Sequence, residues 1–441
     1  MSQSLTATKS SALKGHVRVP GDKSISHRSL IFGALSIGQT RIRGLLEATD
    51  VIATAKAVEA LGADVRNENG EWIVTGDGVG GFRQPEGPLD FGNSGTGSRL
   101  MMGAVAGHSM KVEFTGDASL CSRPMARILN PLKQMGLNLS DPDSDRLPAV
   151  LEGSDDLLPI KYTLPMPSAQ VKSAVLIAGL HASGKTTVIE PKATRDHTER
   201  MLTHFGAVIT REETPEGLAI TIEGDAELKG QDIVVPGDPS SAAFLTAAAL
   251  LCPDSEVTIE GILTNPTRFG FYQTLIEMGA DITLANERTE GGEPIADIIV
   301  KSGSLNGVTV PADRAPSMID EYPCLSVVAS FANGETRMLG LEELRVKESD
   351  RLAITAEGLT ACGVQCTIEG DDLIVQGADT VTGGATIRTE MDHRIAMSFL
   401  IMGLRSENPV TVDDVEIINT SFPQFMDLMT GLGAKFREAG K

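Results

Sequence analysis

The sequence predicts an α/β protein of two similar domains, each built from three βαβαββ repeats. Three observations carry this prediction. A helical apolar run ending in a glycine step recurs six times, at Gly62, Gly136, Gly206, Gly279, Gly363 and Gly433, with neighbours 70–84 residues apart. A second run, almost wholly apolar after a polar start, alternates with it. The phrase "VRVPGDKS" (Val17 to Ser24) returns as "IVVPGDPS" (Ile233 to Ser240), 216 residues on and close to three repeats later. A repeat this long marks supersecondary units that bury their apolar faces against one another.

Each element follows from local chemistry. The glycine runs ("AVEALGADV", "PLKQMGLNL", "MLTHFGAVI", "LIEMGADIT", "LTACGVQCT", "LMTGLGAKF") read as surface helices stopped by a C′ glycine and followed by a strand. The polar-start runs are "GDKSISHRSLIFGAL", "GNSGTGSRLMMGAVAG", "PSAQVKSAVLIAGL", "GDPSSAAFLTAAALL", "APSMIDEYPCLSVVASF" and "MDHRIAMSFLIMGL". Each has Ser, Asp or Asn near its start, as an N-cap requires. Each body is apolar nearly all round, which predicts a buried helix. Short β-branched stretches such as "QTRIRGL", "MKVEFTG", "TTVIEP" and "EVTIEG" supply the strands. The repeated Pro-Gly-Asp phrase places the domain crossings: residues 21–236 form one domain, and residues 1–20 with 237–441 form the other.

Composition bounds the function. Of 441 residues, 41% are hydrophobic and 22% charged, ordinary for a soluble globular chain with a sizeable core. A net charge of -21 argues against nonspecific binding to nucleic acid or anionic membranes. A site for an anionic small molecule must then gather its cations locally. The N-terminus lacks the apolar stretch of a signal peptide, and no window is long and apolar enough to span a membrane, so the cytoplasm is expected. The cysteines Cys121, Cys252, Cys324, Cys362 and Cys366 are odd in number and scattered. They read as buried or free thiols in a reducing compartment, with no metal site and no cofactor. "GLHASGKT" (Gly179 to Thr186) matches a phosphate-loop pattern, but the context is reversed, with the helix before it and the strand after. It is read as a plain helix-to-strand connection.

The cations collect at the starts of the buried helices. These starts carry Lys23, Ser24 and Arg28; Asn93, Gly95, Thr96 and Arg99; Ser168, Ala169, Gln170 and Lys172; Asp320 and Glu321; and Asp392, His393 and Arg394. The loops before the surface helices add Arg123 and Arg127, Arg195, and Lys347, Glu348 and Arg351. A cation at a helix N-terminus opposes the helix dipole. Any single one reads better as part of a solvated face; so many together call for a shared polyanionic ligand. Helix starts that face each other across two domains would converge on one cleft.

The motifs "VPGDKSISHR", "DFGNSGTGSR", "SRPM", "SAQVKSA", "LRVKESDR" and "DHRIAMSF" resemble those of 5-enolpyruvylshikimate-3-phosphate synthases, from Val17 to Phe422. "RDHTE" and "NPTR" resemble the bacterial class II subgroup. The resemblance implies an enolpyruvyl transferase-like, inside-out α/β barrel in each domain, with the active site in the interdomain cleft; closure on the first substrate is expected from the two chain crossings at Pro-Gly-Asp turns and from a cleft of like charges. It implies transfer of the enolpyruvyl group of phosphoenolpyruvate to the 5-hydroxyl of shikimate 3-phosphate, with phosphate released through a tetrahedral intermediate. That step leads to chorismate and the aromatic amino acids. The partners implied are these two small anions and the inhibitor glyphosate, with no nucleic acid, no membrane and a monomeric chain.

Carried over motif by motif, Lys23, Ser24, Arg28, Ser168, Ala169, Gln170, Arg195, Asp320 and Lys347 hold shikimate 3-phosphate. Lys23, Gly95, Arg123, Gln170, Arg351 and Arg394 hold phosphoenolpyruvate. Asp320 is the implied base, helped by Lys23, and Glu348 the implied acid. A plain helix cap at Asp320 and a plain ion pair between Glu348 and Arg351 are the structural alternatives. His27 and His393 are expected to pack or orient. The chain departs from many family members at "NTSFP", where Thr420 or Ser421 stands in place of a lysine. Two rivals stay open: the sister transferase acting on UDP-N-acetylglucosamine, which uses a loop cysteine such as Cys121, and a noncatalytic anion-binding repeat protein.

Overall fold

In the computed structural model, residues 3–438 are described. All six repeat glycines have positive φ, from 83° at Gly363 to 118° at Gly136, the left-handed conformation that ends a helix. The six polar-start runs form helices at Lys23–Ala34, Gly95–Ala106, Ala169–Gly179, Pro239–Leu251, Tyr322–Ala329 and His393–Arg405. Side chains of Asp22, Ser94, Ser168, Asp238 and Asp392 cap five of them. The fifth helix differs from expectation. Glu321 stands at its N-cap position and makes no capping bond, and the chain enters through the 3-10 turns Ala312–Ser317 and Ile319–Glu321.

The sheets repeat one design. Among the described residues there are six, and each joins a parallel edge pair to antiparallel strands. In the third repeat Lys161–Thr163 runs parallel to Lys185–Glu190, which pairs antiparallel with Gly217–Glu223, and that strand with Ile209–Thr214. Second and fifth repeats follow the same order within their own sequence. The other three borrow a strand from far along the chain. Asp232–Val234 pairs parallel with Ser36–Arg43 in the first repeat. Lys14–Val17 pairs parallel with Glu256–Leu263 in the fourth. Leu5–Thr8 lies between Val410–Val412 and Lys435–Glu438 in the sixth. The six sheets are open, so any barrel is one of packed layers and not of closed hydrogen bonding.

Two compact units result. One takes the chain up to Pro20, Pro236–Arg288 and the stretch from Pro294 on; the other takes Gly21–Val235 and Thr289–Glu293. In the first unit the helices Pro239–Leu251, Tyr322–Ala329 and His393–Arg405 pack on one another within a continuous apolar core. In the second, Gly95–Ala106 packs on Ala169–Gly179. Gly103 makes that approach possible: a Cβ there would lie 2.3 Å from the Ala174 carbonyl oxygen. Among the described residues no helix is long and apolar enough to cross a membrane. The Gly179–Thr186 stretch links a helix to a strand, the reverse of a phosphate loop.

Candidate active site

The unit containing Gly21–Val235 holds nine of the expected ligand residues. Lys23 and Ser24 open the first buried helix behind the Asp22 cap, and the Lys23 ammonium pairs with Asp50. Arg28 lies one turn further in and is only 3% exposed. Its Nε donates to Thr198 Oγ1 at 2.7 Å, Nη2 to Ser173 Oγ at 2.8 Å and Nη1 to the Ser24 carbonyl at 2.9 Å. Two of its five N–H groups remain for a ligand. Burial pulls the guanidinium down to about 10, with Arg195 adding to the fall. An anion would restore the lost solvation.

Gln170 is set from both ends. Arg99 Nη1 donates to its Oε1 at 2.7 Å, and its Nε2 donates to Thr96 Oγ1 at 3.0 Å. Its orientation is therefore fixed by the second helix, while Ser168 and Ala169 open its own. Arg123 Nη2 donates to Asn93 Oδ1 at 2.7 Å and Ser119 Oγ at 3.1 Å. Gly95 begins the second helix beside it: a Cβ there would sit 3.2 Å from Arg123 Nη1 and from Arg99 Nη1.

Lys172 is a correction. The sequence placed it among cations facing a ligand, yet its side chain is wholly buried and pairs with Glu190 at 3.0 Å and Glu199 at 2.7 Å. Its single charge is shared between two carboxylates in the protein interior. His27 is also buried, with Nδ1 on Thr54 Oγ1 at 2.8 Å; burial, then Lys23 and Arg28, holds it well below its usual range. It packs as a neutral ring.

The other unit carries the acids. Arg351 is 1% exposed and joins three carboxylates: Asp392 at 2.7 Å, Asp320 at 3.1 Å and Glu348 at 2.5 Å. Those attractions outweigh burial and raise its pKa. Lys347 Nζ lies 3.7 Å from Asp320. Asp320 caps no helix, which disfavours the cap reading; Glu348 does form the ion pair with Arg351. Burial pushes Glu348 up, but the Arg351 guanidinium wins and holds it below the usual carboxylate range. His393 is pulled down to about 3, by burial first and Arg394 next. Arg394 Nη1 donates to the Asp320 carbonyl at 3.2 Å and faces Glu321 Oε1 at 3.4 Å. Thr420 Oγ1 donates to the Ile417 carbonyl at 2.7 Å and supplies no cation.

Sequence reasoning passed over Asp50, Thr198 and Ser173, which hold these ligand residues in place, and it named Asn93 and Asp392 without their partners Arg123 and Arg351. Their signal was present in "RDHTE", "GNSGTGSR" and "DHR", but their partners lie far off in sequence. Cys121 sits on the short helix Ala118–Ser122 with its thiol on the Gly116 carbonyl.

Comparison with known proteins points the same way. A family model described as EPSP synthase (3-phosphoshikimate 1-carboxyvinyltransferase) matches residues 7–429. A protein of Chelativorans sp. (strain BNC1) named 3-phosphoshikimate 1-carboxyvinyltransferase is 59% identical over 434 residues, 98% of this chain and 97% of that one. One of the same name from Parvibaculum lavamentivorans is 59% identical over 436 residues, again 98% and 97%. A solved EPSP synthase from Acinetobacter baumannii superposes with a TM-score of 0.92 at 43% identity, covering 99% of each chain. The chain belongs to the EPSP synthase family.

Proposed function

We propose that the two residue sets described above carry out the family reaction in distinct roles. The chain is a 3-phosphoshikimate 1-carboxyvinyltransferase: it moves the enolpyruvyl group of phosphoenolpyruvate to the 5-hydroxyl of shikimate 3-phosphate and releases phosphate. The observation that supports the division of roles is the Arg351 guanidinium with Asp320 and Glu348 on separate nitrogens.

In this reading Lys23, Ser24, Arg28, Ser168, Ala169, Gln170, Arg195, Asp320 and Lys347 bind shikimate 3-phosphate. Lys23, Gly95, Arg123, Gln170, Arg351 and Arg394 bind phosphoenolpyruvate, and glyphosate competes for their place. Arginine forks match carboxylate and phosphate oxygens in pairs. Asp320 accepts the 5-hydroxyl proton as that oxygen bonds to C2 of phosphoenolpyruvate. Glu348 gives a proton to C3, completing the tetrahedral adduct. In the second half Glu348 takes a proton back from C3, the double bond re-forms, and the bond from C2 to the phosphate oxygen breaks, its electron pair and the proton held by Asp320 leaving with phosphate.

Glu348 is ionised at rest, so it must be recharged. Phosphoenolpyruvate supplies the means: its anionic groups draw on Arg351, weaken the Arg351–Glu348 attraction and raise the carboxyl pKa. Glu348→Gln keeps the side-chain shape and removes the proton shuttle. Its kcat is expected to fall about 10²–10⁴-fold, with little change in the KM for phosphoenolpyruvate. A variant that keeps more than a tenth of the wild-type kcat removes Glu348 from the chemistry. Following its family, the chain acts as a monomer in the cytoplasm.

A further inference from the structure

Two motifs find no use in the site above: the second Pro-Gly-Asp phrase, ending in Asp238-Pro239-Ser240, and Arg268 of "NPTR". They meet in one unit. Asp238 caps the helix Pro239–Leu251 through the backbone N–H groups of Ser240 and Ser241, both at 3.2 Å. The buried Arg268 donates from Nη2 to Asp238 Oδ1 at 3.0 Å and to Ser240 Oγ at 3.1 Å. The Ser240 hydroxyl donates in turn to Glu321 Oε1. Glu321 is 4% exposed, and the same oxygen faces Arg394 Nη1 at 3.4 Å.

The polarity of this chain is fixed. A guanidinium has only donors, so the Ser240 oxygen accepts from Arg268 and its one proton goes to Glu321. Glu321 is left as an acceptor for Arg394. Arg394 Nη1 is also bonded to the Asp320 carbonyl, one residue before Glu321. The relay thus ends on the peptide segment that carries the base. It also accounts for the missing cap on the fifth buried helix, because the Glu321 carboxylate at the N-cap position is committed elsewhere.

We propose that Glu321 is a positioning residue for Arg394, braced by Ser240 and Arg268, and that it sets the anion-binding guanidinium at a fixed place beside Asp320. The inference rests on the reading that Arg394 binds phosphoenolpyruvate.

Steady-state kinetics on the purified full chain test it. Glu321→Gln keeps the bulk and removes the charge that holds Arg394. A hydrogen bond to a charged group is worth enough for a KM increase for phosphoenolpyruvate of about tenfold. The KM for shikimate 3-phosphate should stay within twofold and the melting temperature close to wild type. Ser240→Ala, a smaller change, should move the same constant in the same direction by less. In an Arg394→Gln background, Glu321→Gln should add less than twofold, since the residue it positions is gone. An unchanged KM for phosphoenolpyruvate in a folded Glu321→Gln protein overturns the inference. So does a lowered one, which makes Glu321 a competing counter-ion, and so do equal changes for both substrates, which make the role merely structural. If Arg394→Gln alone leaves that KM unchanged, the reading of Arg394 itself fails, a separate result from failure of the brace.

Discussion

Gly95 shows how narrow the tolerances of the anion site are. A methyl group there would meet Arg123 Nη1 and Arg99 Nη1, each at 3.2 Å, so both guanidinium ends would have to give by a few tenths of an ångström. These are the far ends of flexible side chains, so the substitution is tolerable, but it crowds the place where phosphoenolpyruvate is expected to lie. Glyphosate is the longer ligand. Gly95→Ala should therefore raise the inhibition constant of glyphosate more than the KM for phosphoenolpyruvate; if the two change by the same factor within twofold, the steric explanation is wrong. Residue types at this scale were legible in the sequence, because Lys, Arg, Asp and Glu at helix starts stand out against the dipole. Their bonds were not. Nothing local indicates that Arg28 leans on Thr198, 170 residues away, or that Arg351 serves Asp392 as well as its neighbour Glu348. Lys172 was misread for the same reason: its partners Glu190 and Glu199 arrive from the next strand and the next helix.

At the scale of elements, the buried helices are made by composition and placed by their caps. The Ala169–Gly179 helix carries Lys172 into a fully buried site, where its charge is offset by two carboxylates, both nearly inaccessible. Lys172→Met would remove the buried cation those carboxylates share, leaving Glu190 without it and Glu199 with only the more distant Arg211 at 3.9 Å. Breaking a buried ion pair from one side costs about 3–5 kcal/mol, so urea unfolding should show a loss of that order. A loss indistinguishable from zero would mean that water or the neighbouring Arg211 already compensates Glu199. Helix ends were the most legible feature, because a C′ glycine and an Asp or Ser cap have direct geometric consequences. The start of the fifth helix was not, since its carboxylate answers to Ser240 and Arg394 and not to its own backbone.

For the molecule as a whole, repeat number and strand order follow from the period, yet three of the six sheets are completed by strands remote in sequence. Sequence pattern marks a strand but not its partner, so only the repeated Pro-Gly-Asp phrase hinted that the first residues join the C-terminal half. Stability should also carry a signature of the buried histidines. His181 and His393 are each drawn down to about 3, by burial first, and His27 lies well below its usual range. Their folded pKa values lie below the unfolded value near 6.5, so the unfolded chain binds the extra protons. For His181 and His393 stability is then full above about pH 6.5 and falls as pH drops toward about 3, by up to about 1.4 kcal/mol per pH unit for each, and His27 acts in the same direction. Thermal melts from pH 8 to pH 4 check the sign; a melting temperature that rises on acidification contradicts it. The central claim concerns the acceptor. It is tested most directly by phosphate release from phosphoenolpyruvate, measured with shikimate 3-phosphate and, separately, with UDP-N-acetylglucosamine. Release with shikimate 3-phosphate alone is the predicted result. Release only with the nucleotide sugar, or none with either in folded protein, would contradict it.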